Sequence, residues 1–253
     1  MAFNYTKIKF GNWLFKKSFP IYNILYSRFK LNNDKTEIEL LQRIIKPGNA
    51  VLDIGANIGF YARLLSTFAG SQGIVYCFEP DAINFKHLQK NTAGLKNIKL
   101  FNNAVSDKKN RIKIYKSKLL NVDHRTYPVN NFDSIEEIEA VSIDELIETG
   151  ILKTVNVIKI DIQGYELVAF KGMLKLLTES PDLKIVAEYW PHGFTRAGTS
   201  AIEFYDFFEK LGYAFTIIDN NDLKPLTRHY VIENNNQHFE FSFNVLIAKA
   251  KIS

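Results

Sequence analysis

Two runs of the sequence combine glycines and carboxylates at the spacing that nucleoside binding requires. Residues 51–59 begin as an apolar strand pattern and continue into the turn Gly55-Ala56-Asn57-Ile58-Gly59, after which a helix is predicted. Residues 74–80 form a second apolar strand pattern, which ends at Glu79, 20 positions after Gly59, and is stopped by Pro80. This succession is typical of an open α/β sheet that binds an adenosine-containing cofactor.

The residue types in and beside the turn separate the possible cofactors. Dinucleotide sites have a glycine where Asn57 stands, because the backbone must approach a pyrophosphate there, so a pyrophosphate is disfavoured. Asp53 would repel phosphates but attract the ammonium group of an amino acid. The Glu79 carboxylate could accept hydrogen bonds from both ribose hydroxyls. These features favour S-adenosylmethionine; the alternative is an ordinary tight turn whose glycines only fit the backbone.

A third run, residues 159–166, is predicted to bring another carboxylate to the same crevice. Its apolar half predicts a strand that ends at Asp161, and Glu166 falls in the first turn of the next helix. Because a hydroxyl acceptor must lose its proton, the candidate general bases are Asp161, Glu166, His124 and His192. The carboxylates could instead hold a divalent cation. No ligand spacing indicates a metal, and none is predicted.

Polar residues are predicted to follow the ends of the sheet strands, where ligands of open α/β sheets bind. They are Asp53, Glu79, Asn103 with Ala104, Asp161 and Glu188. After Glu188 comes the run Tyr189-Trp190-Pro191-His192-Gly193-Phe194, which we expect at the mouth of the site. Aromatic faces stack on sugar rings, so Trp190 and His192 predict a saccharide-like substrate. The alternative is that Trp190 and Phe194 cover an edge of the core.

The elements that must position these residues alternate between strand and helix. Strands are predicted over residues 50–54, 74–78, 98–101, 155–160 and 183–188, and helices over residues 59–68, 82–91, 142–148, 165–177 and 201–211. This alternation indicates a doubly wound, mostly parallel sheet. Residues 103–142 predict an antiparallel excursion at the sheet margin. Residues 215–219 and 239–248 predict a terminal antiparallel pair, which class I methyltransferases, with their Rossmann-like sheet, append to such a fold.

Composition describes a packed protein with an unusual N-terminal segment. Of 253 residues 46% are hydrophobic, and the single cysteine, Cys77, has no disulfide partner. We found no apolar run long enough to span a bilayer and no uninterrupted secretory signal, so a cytoplasmic location is predicted. Residues 1–30 hold six of the 32 basic side chains and none of the 27 acidic ones. The near-neutral remainder disfavours nucleic acid as a partner.

The basic segment is predicted to form a helical arm, divided at Pro20 and followed by a further helix over residues 37–45. We therefore expect an arm over residues 1–45 and a cofactor-binding domain over residues 46–253. Cations mixed with nine aromatic side chains indicate peripheral contact of residues 1–30 with an anionic membrane surface, at the inner face of the membrane. The alternative is an arm that packs its aromatics on the domain and leaves its lysines in water.

Five motifs in order resemble the FkbM family of S-adenosylmethionine-dependent O-methyltransferases, over roughly residues 45–250. They are residues 55–59 (GANIG), 77–80 (CFEP), 103–106 (NAVS), 142–144 (SID) and 159–166 (KIDIQGYE). The resemblance implies methyl transfer to a hydroxyl of a saccharide, glycan or small-molecule metabolite. It does not cover the arm before residue 30.

The resemblance also implies roles for single residues. Those expected to bind the methionine end are Asp53, Gly55, Ala56, Asn57 and Gly59. Glu79 and Pro80 would lie at the ribose, and Asn103, Ala104, Val105 and Ser106 at the adenine edge. Asp161 would lie near the transferred methyl. Residues 121–125 are similar to a substrate loop of some members, so His124 and Arg125 would contact the acceptor. Glu188, Trp190 and His192 are expected beside the acceptor from their position at and after a strand end, not from the resemblance.

Two other functional classes remain open from the residues alone. One is an NAD-dependent oxidoreductase, which the missing middle glycine disfavours. The other is a non-catalytic module that keeps the fold and binds the cofactor. The acceptor and the oligomeric state are not determined by the sequence.

Overall fold

The computed structural model describes residues 5–117, 125, 132–219, 223–235 and 241–250. The strands within these ranges are β1 (Ala50–Ile54), β2 (Ile74–Phe78), β3 (Ile98–Phe101), β4 (Ala104–Val105), β5 (Asn110–Ser117), β6 (Phe132–Val141), β7 (Val157–Ile160), β8 (Lys184–Tyr189), β9 (Tyr213–Ile218), β10 (Leu223–Pro225) and β11 (Phe243–Lys249). The helices are α1 (Tyr5–Lys17), α2 (Phe19–Asn33), α3 (Lys35–Ile44), α4 (Phe60–Ala69), α5 (Ala82–Asn91), α6 (Ile143–Glu148), α7 (Glu166–Lys171), α8 (Leu174–Glu179), α9 (Pro191–Arg196), α10 (Ala201–Lys210) and α11 (Arg228–Glu233).

The large sheet has the strand order β10-β9-β11-β8-β7-β1-β2-β3. Five adjacent strands, from β8 to β3, are parallel, while β11 is antiparallel to both β8 and β9. The carboxyl ends of the five parallel strands therefore meet along one edge. This confirms the predicted fold class, a doubly wound and mostly parallel α/β sheet with an antiparallel last strand and an N-terminal helical arm.

Helices cover both faces of the large sheet. On one face, alternate strand residues such as Leu52 and Ile158 pack with Phe170 and Phe204. On the other face, Val51, Val75 and Val157 pack with helices α3 and α4. Because side chains alternate along a strand, Asp53 and its register partner Lys159 point to this second face. Helix α3 thus covers the side of the sheet that carries these two charges.

The predicted strands 50–54, 74–78 and 98–101 and the helix 82–91 are confirmed with the same bounds. The predicted marginal excursion is wrong in its position, because β4, β5 and β6 form a separate sheet of order β4-β6-β5. The predicted helix 165–177 is interrupted between α7 and α8 at Gly172 and Met173. A Cβ on Gly172 would lie 2.1 Å from the carbonyl oxygen of Ser106, which follows β4. The helix is therefore interrupted where its backbone packs closely against the end of β4.

The arm forms two helices that break at Ser18 rather than at Pro20. Proline is tolerated in the first turn of α2, because backbone N–H groups there have no intrahelical partner. Phe15 and Phe19 pack on His87 of α5, with ring centroids 5.1 and 3.5 Å away. The division into an arm over residues 1–45 and a domain over residues 46–253 stays a prediction. In the part of the chain described, no helix combines the length and hydrophobicity of a membrane span.

Candidate functional site

The glycine turn after β1 adopts a conformation that its residue types make possible. Gly55 and Gly59 have φ values of 83° and 91°, and Asn57, with φ of 49°, is one of only two non-glycine residues described with positive φ. The backbone N–H groups of Gly55 and Ala56 both donate to the Phe78 carbonyl, each at 3.0 Å. A Cβ on Gly55 would lie 2.1 Å from the Asp161 carbonyl oxygen. The turn is therefore held against the ends of β2 and β7.

Glu79 closes the same turn from the end of β2. Its Oε2 accepts a hydrogen bond from the Asn57 N–H and its Oε1 one from the Asp81 N–H, both at 2.8 Å. The Asn102 side chain donates to the Glu79 carbonyl at 2.8 Å. Burial raises the pKa of Glu79 to about 8, although the two backbone hydrogen bonds oppose the rise. Each carboxylate oxygen keeps a lone pair beyond its backbone bond.

Asp53 is the most unusual group of the site. Its side chain is buried, and neither carboxylate oxygen has a hydrogen-bond partner. Burial raises the pKa of Asp53 to about 6, and the nearby Lys159 ammonium opposes this rise. Buried charged groups are normally paired, because an unpaired one costs several kcal/mol or more. An orphan carboxylate here therefore indicates a position prepared for a donor that carries positive charge.

Lys159 lies beside Asp53 on the neighbouring strand, and the sequence analysis did not select it. Its ammonium is buried, 4.0 Å from Asp161 Oδ2 and 4.3 Å from the centre of the Tyr61 ring. Burial lowers the pKa of Lys159, but Asp161, Glu37 and Asp53 together more than offset this, so the pKa is raised. The sequence signal that could have identified it is a lysine inside an otherwise apolar strand pattern.

Helices α2 and α3 continue this charged cluster. The Tyr61 hydroxyl lies 2.7 Å from Asp34 Oδ2 and 2.8 Å from Glu37 Oε2. Lys30 forms an ion pair with Asp34, and Asn244 donates to Glu37 Oε2 at 2.7 Å. A hydroxyl has one proton to donate, so both carboxyl groups can bond to Tyr61 only if one of them is protonated. Burial raises the pKa of Glu37, which makes it the better candidate.

Asp161 stands at the end of β7, as predicted, and its side chain is 38% exposed. Its Oδ1 accepts a hydrogen bond from Gln163 Nε2 at 3.0 Å. Gln163 has φ of 58°, the second positive value at a non-glycine residue. Burial, followed by the charges of Asp161 and Asp34, raises the pKa of Tyr26 on α2. Asp161 is thus close to the arm and still open to an approaching substrate.

Glu166 lies deeper than the sequence analysis expected. Its side chain is fully buried, and Oε1 accepts a hydrogen bond from the Ile162 N–H at 2.9 Å. Burial raises the pKa of Glu166 to about 7, against the effect of bonds to the backbone of its own turn. This geometry is that of a residue that holds the turn after Asp161. Its predicted role as a base is not tested.

Three of the predicted substrate residues lie together. The Arg125 guanidinium lies over the Trp190 ring, 5.0 Å from its centre, and the rings of Trp190 and His192 are 5.8 Å apart. Burial, then the charges of Arg196 and Arg125, lowers the pKa of His192, so its imidazole is neutral at pH 7. Residues 191–196 form α9, a helix that the sequence analysis did not predict.

One other expectation for this region is wrong. Tyr189 and Phe194 are fully buried and pack in the core, so they do not line a mouth. Glu188 is half-buried and lies on the same sheet face as its register partner Asn244. Burial, followed by the negative charges of Asp161 and Glu166, raises the pKa of Glu188. The candidate base His124 lies outside the described residues.

The residues expected at the adenine edge differ in accessibility. Asn103 and Pro80 are partly exposed at the strand ends. Ala104, Val105 and Ser106 are buried, and Ser106 Oγ lies 3.1 Å from the Tyr165 hydroxyl. Contact with a ligand through the last three would have to be made by backbone atoms. Among the residues described, no group of three or more metal-ligating side chains could hold an ion.

The sequence is similar to those of two characterised methyltransferases. The Haloferax volcanii hexuronic acid methyltransferase AglP is 30% identical over 148 residues, which are 58% of this chain and 59% of that protein. The Sinorhizobium fredii 2-O-methyltransferase NoeI is 26% identical over 162 residues, 58% of this chain and 66% of that protein. The chain thus matches less than two thirds of the length of either relative.

A solved structure supports the fold. The putative rRNA methylase from Clostridium thermocellum superposes with a TM-score of 0.52, covering 86% of this chain and 95% of that chain. Its sequence identity is 11%, so the likeness concerns the fold alone.

The model of the methyltransferase FkbM domain matches residues 53–215, from the carboxylate of β1 to β9. The cofactor of this methyltransferase domain is S-adenosylmethionine. Because the match covers more than half of the sequence, the chain belongs to the FkbM family of methyltransferases.

Proposed function

We propose that the chain transfers a methyl group from S-adenosylmethionine to a hydroxyl oxygen of a saccharide, a glycan or a small-molecule metabolite. The observation that carries the proposal is the buried, unpartnered Asp53 carboxylate beside the glycine turn and Glu79. The names of AglP and NoeI, a hexuronic acid methyltransferase and a 2-O-methyltransferase, support transfer to a sugar. Family membership favours this function over a nicotinamide-dependent oxidoreductase.

The residues present fit S-adenosylmethionine. The two orphan oxygens of Asp53 match a cationic donor, such as the ammonium of the methionine moiety. Glu79 uses one lone pair of each oxygen for the backbone of Asn57 and Asp81, and the remaining lone pairs could accept from the two ribose hydroxyls. We therefore assign Asp53, Gly55 and Asn57 to the methionine end and Glu79 to the ribose.

Methyl transfer to a hydroxyl requires the protein to position the acceptor oxygen and to accept its proton. S-adenosylmethionine supplies an electrophilic methyl group when bound. The chain must hold the acceptor oxygen in line with that group, which is worth up to roughly 7–11 kcal/mol, and must accept the hydroxyl proton, which is worth about 10²- to 10⁴-fold in rate. Asp161 suits the second task because it is partly exposed and follows β7 directly. Glu166 suits it less, because its carboxylate bonds to its own turn.

The acceptor is proposed to bind at Arg125 and His192, beside Trp190. Trp190 is buried, with 4% of its surface exposed, and it supports Arg125, whose guanidinium lies against its ring. Arg196 is close enough to His192 to lower the pKa of its imidazole. A guanidinium beside an aromatic ring suits a sugar that carries a carboxylate, because arginine binds carboxylates through two parallel hydrogen bonds. We therefore propose an acidic saccharide as the acceptor class.

Replacing Arg125 by glutamine is expected to raise KM for a uronic acid acceptor about 10- to 100-fold, the value of a charge-assisted hydrogen bond. The KM of the corresponding neutral sugar should change little. Arg111→Gln, on the exposed surface of β5, is the matched control. Radiolabelled methyl transfer to both acceptors measures the effect. Equal losses on the two sugars would contradict an acidic acceptor.

Cofactor binding is expected to strengthen as the pH rises through about 6, where Asp53 ionises. Asp53→Asn should weaken S-adenosylhomocysteine binding about 10- to 100-fold above that pH and remove the change near pH 6, leaving the change near pH 8 that belongs to Glu79. Calorimetry across pH measures both effects, with the exposed Asp182→Asn as control. An unchanged affinity, or tight binding of NAD instead, would overturn the proposed function.

Two further measurements separate this effect from loss of structure. The folded chain binds the Asp53 proton more tightly than the unfolded chain does, because the pKa of Asp53 is raised from 3.8 to about 6. The folded state therefore loses stability as the pH rises from about 3.8 to about 6 and Asp53 ionises. Asp53→Asn should therefore keep or raise the melting temperature at pH 7. The groups that face Asp53 are Lys159, Asp161, Glu37 and the Cys77 thiol. Lys159→Met should move the binding curve to higher pH, while the exposed Lys153→Met should not.

The cytoplasmic location, the absence of a nucleic acid partner and peripheral contact with the inner membrane face stay predictions from the sequence. The catalytic proposal depends on none of them. Oligomeric state is likewise not part of it.

A further inference from the structure

Helix α2 has two apolar faces, and only one of them packs on the protein. The inner face carries Phe19, Tyr22 and Tyr26, whose rings pack on His87, on Phe15 and on Phe60. The opposite face is exposed, and its side chains are Ile21, Ile24, Leu25, Phe29 and Leu31. These positions fall on one side of a helix with 3.6 residues per turn. A soluble surface helix normally has polar residues on this side.

Helix α1 adds two aromatic side chains to the exposed apolar surface. Phe10 and Trp13 are each 56% exposed, and their rings stack with centroids 6.0 Å apart. With the five exposed residues of α2 they make up what we call the outer arm face. A concentration of large exposed apolar side chains within one short segment marks an interaction surface.

The charges around the outer arm face have one sign. Lys16 and Lys17 are exposed at the end of α1, and Arg28 is exposed on the apolar side of α2, seven residues after Ile21. No acidic residue precedes Asp34 in the sequence. Lys30 faces inward and is paired with Asp34, so it does not belong to this surface. The partner of the outer arm face should therefore combine an apolar phase with negative charge.

We propose that the outer arm face docks on the surface of an anionic phospholipid bilayer, with α1 and α2 lying in the plane of the interface. Aliphatic and aromatic side chains would enter the boundary between head groups and acyl chains, and Lys16, Lys17 and Arg28 would meet lipid phosphates. A second copy of the chain fits less well, because a two-fold interface would bring two surfaces of the same positive sign together. The docking is independent of methyl transfer.

The arm is fixed to the protein from its inner side, so docking would hold the whole chain at the lipid surface. Asn23 of α2 and Asn91 of α5 exchange side-chain hydrogen bonds of 3.2 and 3.4 Å. Asn91 in turn donates to the Ile58 carbonyl in the glycine turn at 2.6 Å. Asp34 and Glu37 bond to Tyr61 of α4. A bilayer on the outer arm face therefore need not displace any of these contacts.

Sedimentation of the full chain with vesicles tests the proposal. We expect binding to vesicles of phosphatidylglycerol and phosphatidylcholine, weakening as salt increases, and little binding to phosphatidylcholine alone. The triple variant Lys16→Gln, Lys17→Gln and Arg28→Gln should bind anionic vesicles about 100-fold more weakly, since each cation is worth about fivefold. The double variant Ile21→Ser and Ile24→Ser should bind at least about tenfold more weakly.

Matched controls replace side chains of the same kind elsewhere on the surface. Ile151→Ser with Ile232→Ser, and Lys108→Gln with Lys109→Gln, alter exposed residues far along the chain from the arm, and binding should be unchanged. Gel filtration and melting temperature check that every variant stays folded. Equal binding by the arm variants and the intact chain would overturn the proposal. So would a dimer that dissociates in the arm variants while no form binds lipid.

Discussion

Replacing Asp161 by asparagine is expected to slow methyl transfer by about 10²- to 10⁴-fold, the usual contribution of a general base. Asparagine has the same shape and can still accept the Gln163 hydrogen bond, so the turn should persist. It cannot take up the proton of the acceptor hydroxyl. We therefore expect kcat to fall while the affinity for S-adenosylhomocysteine changes little. Single-turnover transfer measures the first quantity and calorimetry the second.

The competing base is His192, which is neutral at pH 7 and lies near Arg125. His192→Gln should leave kcat within a fewfold if Asp161 accepts the proton, and should reproduce the large loss if the imidazole does. Asp182→Asn, on the exposed surface, serves as the control for a lost carboxylate. Full turnover by Asp161→Asn would exclude Asp161 as the essential base.

The parts of the fold that the sequence predicted well are those with local causes. Strands β1 and β2 are apolar runs ended by glycine and proline signals, and helix α5 is capped by Asp81, whose side chain accepts hydrogen bonds from the N–H groups of Ile83 and Asn84. Ser142 caps α6 in the same way, because its side chain accepts a hydrogen bond from the Glu145 N–H. Each of these signals lies within a few residues of the boundary that it sets.

The errors arose where distant contacts decide the structure. Helix α9 has six residues, too few for a periodic pattern, and its Gly193 lies against Gly164, where a Cβ would meet the Gly193 carbonyl group at 2.4 Å. The interruption at Gly172 likewise lies against Ser106. The separate small sheet follows from the pairing of β4 with β6. These contacts join segments that are far apart in the sequence, so no local sequence pattern predicts them.

The cofactor residues could be selected from spacing, whereas the cluster that surrounds them could not. Asp53 and Glu79 lie at recognisable positions relative to the glycines. Lys159 is 106 residues away from Asp53 in sequence and becomes its neighbour only through the pairing of β1 with β7. Glu37 and Asp34 belong to a region that was predicted as an arm, and they reach the site only because α3 packs over α4. Long-range charge clusters of this kind need the fold.

A buried lysine in a site for a cationic cofactor has a simple electrostatic explanation. Lys30 and Lys159 are two cations among four carboxyl groups, those of Asp34, Glu37, Asp53 and Asp161. Without Lys159, burial would favour a protonated Asp53, which attracts a cation poorly. With it, Asp53 stays ionised, and the four carboxyl groups still outnumber the two cations, so the site attracts a further positive charge. The lysine therefore keeps the site anionic rather than opposing the cofactor.

Replacing Glu79 by alanine is expected to weaken S-adenosylhomocysteine binding by on the order of 10²- to 10⁴-fold. Two charge-assisted hydrogen bonds to ribose would be lost, at about 1.5–3 kcal/mol each. The Asn57 and Asp81 N–H groups would also lose their acceptor, so the melting temperature should fall. Glu179→Ala, at an exposed helix end, is the matched control. Unchanged affinity would contradict the ribose assignment.

Proton release distinguishes loss of the ribose contact from loss of the turn. Because burial raises the pKa of Glu79 to about 8, its carboxyl group is largely protonated at pH 7 in the free chain. Two ribose donors favour the ionised form, so binding should expel close to one proton. Calorimetry in buffers of different ionisation enthalpy counts this proton. Glu79→Gln keeps an acceptor for the turn but has no proton to release. It should therefore bind with proton release reduced to near zero, and release that persists in Glu79→Gln would assign the proton to another group.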